Sequence, residues 1–383
     1  MKVFSIIDSG GLYGKERANL QVAHILQDAG MDVTLLVNSI NTEVREEIEC
    51  FKSINIPFPR RLKGKFLFLR YLKAFYLTNI LIRRLLESEK PDFLLVPTEI
   101  ELTYLYFTLH KSPVKVIFRC GDSPLINRKR GVNSLIYGYI WRKFILKRVD
   151  VVVCNAVFIQ NQIVKSGRIN NVKDKLIYNY PPVRTIIEDN IVYQELTGGV
   201  RFGFLGRIVE DKGVRELVDA TFDLAKKGFN IKTYIGGGYG ERTEYINSIL
   251  NMIEQNAEPN KPVQILGLVK DMHKFFQNVD VVVVPSIYAE PMANVVTEAK
   301  FFRKPVIIFN QGGMPEIVSH MNDGYICDDV SIECLEEGMK YYIMHPEFVI
   351  THGENAYDSI ERLGLTKQSF TRKWLEVFNY SAF

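Results

Sequence analysis

The residues best placed to do chemistry lie between Val281 and Ala299. Four valines end at Pro285-Ser286, a loop carries Glu290, and a helical pattern that starts near Ala293 carries Glu298. The free N–H groups and positive dipole end of a helix N-terminus suit a phosphate. The dipole alone supplies only about 0.3–1 kcal/mol, so cations must help. Glu298, more than one turn into the helix, can accept from vicinal hydroxyls, and Glu290 sits near the other end of the same ligand. A phosphate flanked by two polyol-binding carboxylates describes a nucleotide-sugar. The plainer alternative is a solvated helix residue at Glu298 and a loop charge at Glu290.

A second constellation is Gly203-Phe204-Leu205-Gly206-Arg207-Ile208-Val209-Glu210-Asp211-Lys212-Gly213. A strand runs into a glycine turn, and two cations stand five residues apart before a helix. Arg207 and Lys212 together can grip a diphosphate, each charge-assisted hydrogen bond being worth roughly 1.5–3 kcal/mol. A solvated turn is the alternative. The glycine turn Ile235-Gly236-Gly237-Gly238-Tyr239-Gly240 also follows a strand. It permits close backbone approach to a ligand, or simply a tight turn. The same choice holds for Gln311-Gly312-Gly313-Met314-Pro315-Glu316. The first loop, Ser9-Gly10-Gly11-Leu12-Tyr13-Gly14-Lys15-Glu16-Arg17, is not G-x-G-x-x-G, and no acid lies at the spacing a dinucleotide ribose needs.

These loops punctuate an alternation of short apolar runs and amphipathic stretches, the rhythm of repeated β-α units and parallel sheets. In the first half strands are expected at Val3–Asp8, Val33–Val37, Phe93–Val96, Val114–Arg119 and Val149–Cys154, with helices at Glu16–Ala29 and Leu135–Lys147. In the second half strands are expected at Val200–Leu205, Ile231–Gly236, Val263–Leu266, Val281–Val284 and Val306–Phe309. Helices there fit Val214–Lys227, Arg242–Gln255, Asn294–Phe302 and Ser331–Tyr342, and Thr366–Tyr380 reads as a last amphipathic helix. A chain of 383 residues is too long for one ordinary core. The expected division is 1–182, a linker at 183–199, a second domain at 200–365, and a C-terminal helix at 366–383 packing back toward the first domain. The fold class is α/β, with two facing doubly wound parallel sheets of Rossmann type. Ligand would bind at the carboxyl ends of the strands, in the cleft.

Composition excludes several classes. The content is 47% hydrophobic and 24% charged, that of a folded protein and not a disordered one. Five cysteines without C-x-x-C spacing argue for reduced thiols in the cytosol, and six dispersed histidines offer no metal-ligand spacing. The N-terminal apolar run is too short for a signal peptide. The net charge of +4 conceals an asymmetry: 29 Lys+Arg against 18 Asp+Glu through Asn190, a balance of +11, then 19 against 26, a balance of −7. The basic half expects an anionic partner. From Arg60 to Arg84 eight cations and no acids are interleaved with apolar and aromatic residues, and Ser123–Val149 is a second acid-free stretch. Arg70 and Lys73 fall mid-run, so the first stretch is not a spanning helix. It fits a helix on an anionic membrane surface, or a core helix with a solvated basic edge. No nucleic-acid module accompanies the charge.

Taken in order, these segments resemble the large retaining GT-B glycosyltransferase family numbered 4, with its G-R-x4-K-G, P-S-x-x-E-x7-E and G-G-x-P-E turns. The likeness is nearly continuous from Val200 to about Ile326. In the first half it covers the opening loop and the β-α rhythm. It implies that Arg207 and Lys212 hold the donor diphosphate and stabilise charge on the leaving nucleotide. Glu298 would accept from the ribose, and Glu290 with the amides of Met292, Ala293, Asn294 and Val295 would contact the transferred sugar. The backbone at Leu268 and Val269 would contact the base. Gly206 and Gly237 would line the donor site, and Gly14 or Gly11 would approach the phosphate. Ala293 stands where the family usually has glycine, Met292 where phenylalanine is common, and Tyr13 where a glycine is expected. The usual N-terminal histidine is replaced by Phe118-Arg119-Cys120-Gly121-Asp122. Arg119 and Asp122 are therefore the candidates for acceptor contact, with a buried structural ion pair as the alternative.

The implied activity is retaining hexosyl transfer from a nucleotide-diphosphate sugar, a co-substrate, to a glycan or lipid-linked glycan in surface-polysaccharide synthesis. No cofactor and no metal is expected. The expected location is the cytoplasm, peripheral to the inner face of the membrane. Two other readings stand beside it, a GT-B sugar-nucleotide epimerase and a non-catalytic nucleotide-sugar-binding partner subunit.

Overall fold

Val3, Phe4, Ile6 and Ile7 are all buried, so the first strand, β1 (Lys2–Ile7), is covered on both faces. That is what a continuous apolar run in a parallel sheet requires. The computed structural model describes residues 1–8, 14–40, 46–59, 66–122, 132–166, 173–181, 199–238, 243–256 and 261–378. Contacts divide the chain into two units, Met1–Pro182 with Lys367–Phe383, and Val183–Thr366. Of the expected linker only Gly199 lies within the described residues.

The first unit adds β2 (Asp32–Asn38), β3 (Lys52–Ile56), β4 (Phe93–Val96), β5 (Lys115–Cys120), β6 (Val151–Cys154) and β7 (Lys173–Leu176). All pair in parallel, in the order β3-β2-β1-β4-β5-β6-β7. Its helices are α1 (Gly14–Asp28), α2 (Leu67–Glu89), α3 (Glu99–His110), α4 (Val132–Ile140) and α5 (Val157–Ser166). A last helix, α12 (Lys367–Val377), belongs to this unit too. One face of the sheet packs α1 and α12, where Phe370, Trp374 and Phe378 join Leu20, Val22 and Leu26. The other packs α2, α3, α5 and the segment around Trp141 and Ile145. The helix expected at Leu135–Lys147 is interrupted. α4 ends at Ile140, and a π turn over Trp141–Ile145 followed by a tight turn at Leu146–Arg148 buries Trp141, Ile145 and Leu146 together. α2 stops where Lys90 turns left-handed at φ 45° before Pro91, which cannot continue a helix.

The second unit is a six-stranded parallel sheet in the order β10-β9-β8-β11-β12-β13. Its strands are β8 (Arg201–Leu205), β9 (Lys232–Gly236), β10 (Val263–Gly267), β11 (Val281–Val284), β12 (Val306–Phe309) and β13 (Gly324–Cys327). Its helices are α6 (Val214–Lys226), α7 (Glu244–Gln255), α8 (Met272–Gln277), α9 (Asn294–Phe301), α10 (Ile332–Met344) and α11 (Glu347–Arg362). The central strand β11 is four valines, all buried. Both units are thus the doubly wound parallel sheets read from the alternation. Three strands lay outside that reading: β3 (Lys-Ser-Ile-Asn-Ile), β7 (Lys-Asp-Lys-Leu) and β13 (Gly-Tyr-Ile-Cys). Each is an edge strand, which needs no continuous apolar run.

Candidate functional site

In the second unit the loops that follow β8, β9, β10, β11 and β12 all leave the carboxyl edge of the sheet. At β8 the strand order reverses, with β9 on one side and β11 on the other. This is the switch point at which open α/β sheets bind ligands. The turn after β8 is welded to its neighbours by backbone. Gly206 N donates to Gly236 O at 3.0 Å, Ile208 N to Gly238 O at 3.1 Å, and Gly237 N to Gly267 O at 2.7 Å. Gly237 sits at φ 150°, and a Cβ there would fall 1.6 Å from Gly206 O, so no side chain fits between the two turns. Arg207 projects from this platform, exposed, its guanidinium without an ion pair among the described residues. Leu268, just past β10, is 72% exposed beside Gly238, and Val269 packs against Gly236.

The loop from Pro285 to Ala293 is held on two sides. On one, the carbonyl of Asp211 accepts from Ile287 N at 3.1 Å and Tyr288 N at 3.2 Å. Gly213, at φ 66°, lets this turn press against Pro285, since a Cβ would lie 1.8 Å from Pro285 O. On the other side Gly313 N donates to Glu290 O at 2.8 Å, and Gln311 Nε2 donates to the carbonyl of Ile287 at 2.7 Å. This double clamp sets the Lys212 ammonium 2.7 Å from Glu290 Oε1, the two side chains 18% and 12% exposed. The Ser286 hydroxyl donates to the same oxygen. Lys212 and Glu290, 78 positions apart in sequence, are therefore one charged unit at the mouth of β11.

α9 begins directly after, with Ala293 at its N-cap making no side-chain cap. Met292 and Ala293 are buried beneath this start, while Asn294, Val295 and Glu298 are half-buried. The helix is anchored from behind by Lys300, which donates to Asp323 Oδ2 and to Ser359 Oγ, both at 2.9 Å. Burial pushes the Lys300 ammonium down, and the Asp323 carboxylate opposes that shift. Ser286, Gln311, Gly312, Gly313 and the Lys300–Asp323 pair are the supporting residues that sequence reasoning did not assign. The glycine–glycine turn after β12 was the available signal, and its role is to seat the Glu290 loop.

In the first unit Gly14 is the exposed first residue of α1, and Gly11 lies outside the described residues. Arg119, at the end of β5, is buried and donates to Asn19 Oδ1 at 3.0 Å and Asn179 Oδ1 at 2.8 Å. Burial lowers its pKa to about 10, and the Glu16 carboxylate opposes the shift. Asp122, two residues past the strand, is exposed. Arg119 is thus held among asparagines inside the unit, while Asp122 is on its surface.

Comparison with known proteins agrees with this architecture. Residues 13–180 match the family model described as glycosyltransferase family 4, and residues 188–359 that described as glycosyl transferases group 1. The capsular polysaccharide biosynthesis glycosyltransferase CapM of Staphylococcus aureus is 30% identical over 159 residues. That alignment spans 42% of this chain and 40% of CapM, less than half of each. An uncharacterized glycosyltransferase of Haemophilus influenzae is 21% identical over 370 residues, 95% of this chain and 96% of that one. The crystal structure of Anabaena Alr3699/HepE in complex with UDP-glucose superposes with a TM-score of 0.78 at 18% identity, over 99% of both chains. The two Rossmann-like sheets and these matches place the chain among the glycosyltransferases of GT-B type. Within that class its first half matches the family 4 model and its second half the group 1 model.

Proposed function

We propose that the chain transfers a sugar from a nucleotide-diphosphate sugar to a glycan, free or lipid-linked, with retention of configuration, in the assembly of a cell-surface polysaccharide. The observation that carries the reading is the Lys212–Glu290 pair, clamped beside the exposed Arg207 where the strand order reverses. Arg207 and Lys212 take the diphosphate, the start of α9 adds amides, and Glu298 accepts from the ribose. Glu290 meets the transferred sugar, and Leu268 with Val269 meets the base. Gly14 or Gly11 belongs to phosphate contact and Asp122 to the acceptor side, with Arg119 a buried structural residue. The UDP-glucose bound by Alr3699/HepE favours a uridine donor, and the capsular role in CapM's name favours a surface glycan.

The reaction follows from that assignment. The bond between the anomeric carbon and the phosphate oxygen breaks, and its electron pair leaves with the nucleotide diphosphate. The acceptor hydroxyl bonds to the same face of the sugar and gives its proton to the departing phosphate. Arg207 and Lys212 carry the leaving-group charge without a metal, and preorganised donors of this kind are worth ~10²–10³ in rate each. Peripheral contact of the basic first unit with the inner membrane face brings a lipid-linked acceptor within reach.

Thermal unfolding against UDP, GDP, ADP, CMP and their sugars tests the reading. A ligand at about 100 times its Kd adds roughly 2.7 kcal/mol to the unit that binds it. Stabilisation by one nucleotide family, lost in Arg207→Ala, supports the assignment; no shift with any nucleotide overturns it. Donor consumed without acceptor would mark an epimerase, and binding without turnover a partner subunit.

A further inference from the structure

α2 carries two apolar stripes where one is enough. Ala74, Thr78, Ile82 and Leu86, spaced by four, are buried against the sheet. Phe68, Leu72 and Tyr76, also spaced by four, lie about 120–200° around the helix from Ala74 and are exposed, Phe68 by 71% and Tyr76 by 64%. A helix packed on a soluble core should be polar there. The neighbouring helix repeats the pattern. α3 is tied to α2 by the Thr108 hydroxyl donating to Asn79 Oδ1 at 2.6 Å, and it exposes Phe107 by 72%. Around Tyr106 gather the rings of Phe107 at 5.4 Å and Phe144 at 6.3 Å, and Tyr139 meets Phe144 at 6.4 Å. These residues line the outside of the single helical layer that covers one face of the first sheet.

The charge on this face is predominantly positive, with the exposed acid Glu87 only at the far end of α2. Lys73, Arg84, Lys143 and Lys147 are exposed, α2 has no acid before Glu87, and both acids of α3, Glu99 and Glu101, are buried. No helix among the described residues is long and apolar enough to cross a membrane. Aromatic side chains that reach outward between lysines and arginines suit the boundary between head groups and acyl chains, with the cations on anionic phosphates.

We infer that the outer face of α2, α3 and the 136–147 segment docks on an anionic lipid bilayer, with Phe68, Tyr76, Phe107 and Phe144 entering it. This supplies the surface for the membrane contact proposed above. The donor loops of the second unit take no part in it, so its failure and theirs are separable.

Flotation of the full chain with vesicles of phosphatidylcholine, alone or mixed with phosphatidylglycerol, tests the inference. Binding is expected to the mixed vesicles only, weakening as salt screens the cations. The double variants Phe68→Glu/Tyr76→Glu and Phe107→Glu/Phe144→Glu should each reduce binding at least about tenfold. Lys73→Glu/Lys143→Glu should do the same without touching an apolar residue. All three should keep the unfolding temperature and any nucleotide-induced shift of the unaltered chain. No flotation of the unaltered chain, or binding unchanged in these variants, overturns the inference. So does an oligomer that the aromatic variants convert to monomer, because the face would then belong to a second copy.

Discussion

The Lys212 ammonium lies 2.7 Å from Glu290 Oε1, and the same oxygen accepts from the Ser286 hydroxyl. Lys212 comes from the turn after β8 and Glu290 from the loop after β11, and these two strands are neighbours in the sheet. The pair is half-withdrawn from water, so its attraction is screened less than that of a surface ion pair. A diphosphate entering here meets an ammonium already oriented by Glu290, whose carboxylate is itself held by the Ser286 hydroxyl. Preorganisation of this kind costs nothing at the moment of reaction.

Lys212→Ala is expected to lower turnover by ~10²–10³ and to remove most of the nucleotide-induced thermal shift. Glu290→Gln keeps a partner for Ser286 and loses the charge. It should cut turnover strongly while leaving nucleotide affinity within about threefold, because the carboxylate is assigned to the sugar and the cation to the phosphate. Steady-state kinetics beside nucleotide titration separates the two. Equal loss of nucleotide affinity in both variants would put Glu290 on the phosphate side.

Much of this arrangement is legible in the sequence. β4, β11 and β12 fall on the residues their apolar runs indicated, because a strand buried on both faces must be apolar throughout. The glycines at 206, 213, 237, 312 and 313 were visible as turns. Their partners were not: that Gly213 faces Pro285 and Gly312 faces Glu290 depends on which strands are neighbours, which local pattern does not encode. α3 was missed because its interior is apolar nearly all round, so the 3.6-residue period is faint. The break at Trp141 was missed because a π turn leaves no compositional mark.

Gly213→Ala tests whether the clamp matters. A left-handed alanine costs about 1–2 kcal/mol wherever it stands. At Gly30, φ 80°, an added Cβ meets nothing within 4 Å, whereas at Gly213, φ 66°, it would lie 1.8 Å from Pro285 O. Urea unfolding should therefore show Gly30→Ala near the conformational cost and Gly213→Ala well above it. Only Gly213→Ala should also lose turnover, through displacement of the Asp211 contacts to Ile287 and Tyr288.

Lys300 holds α9 from the side away from the ligand loops, its side chain 0% exposed against 1% for Asp323. Lys300→Met strands a buried carboxylate and should destabilise by about 3–5 kcal/mol. Adding Asp323→Asn removes that charge and keeps an oxygen for Ser319 N, which donates to Asp323 Oδ1 at 2.7 Å. The double variant is expected to recover much of the loss in urea unfolding. A double variant no more stable than Lys300→Met would mean that packing, not the stranded charge, sets the cost.

His352 gives the second unit a pH dependence of defined sign. Its Nδ1 lies 3.0 Å from the Tyr342 hydroxyl, its ring stacks on Phe348 and Tyr341, and burial pushes its pKa below 6.5 against the pull of Asp323. Between its folded value and 6.5 the unfolded chain takes up a proton that the folded chain refuses. Stability must therefore fall as pH drops through that window and level off below the folded pKa. Carboxylates titrate lower, near about 4, so the two effects separate on the pH axis. His352→Gln is less stable at neutral pH through its altered packing, but its unfolding free energy should be flatter just below pH 6.5 than that of the unaltered chain. Parallel curves for the two proteins would show that His352 takes up its proton as readily folded as unfolded.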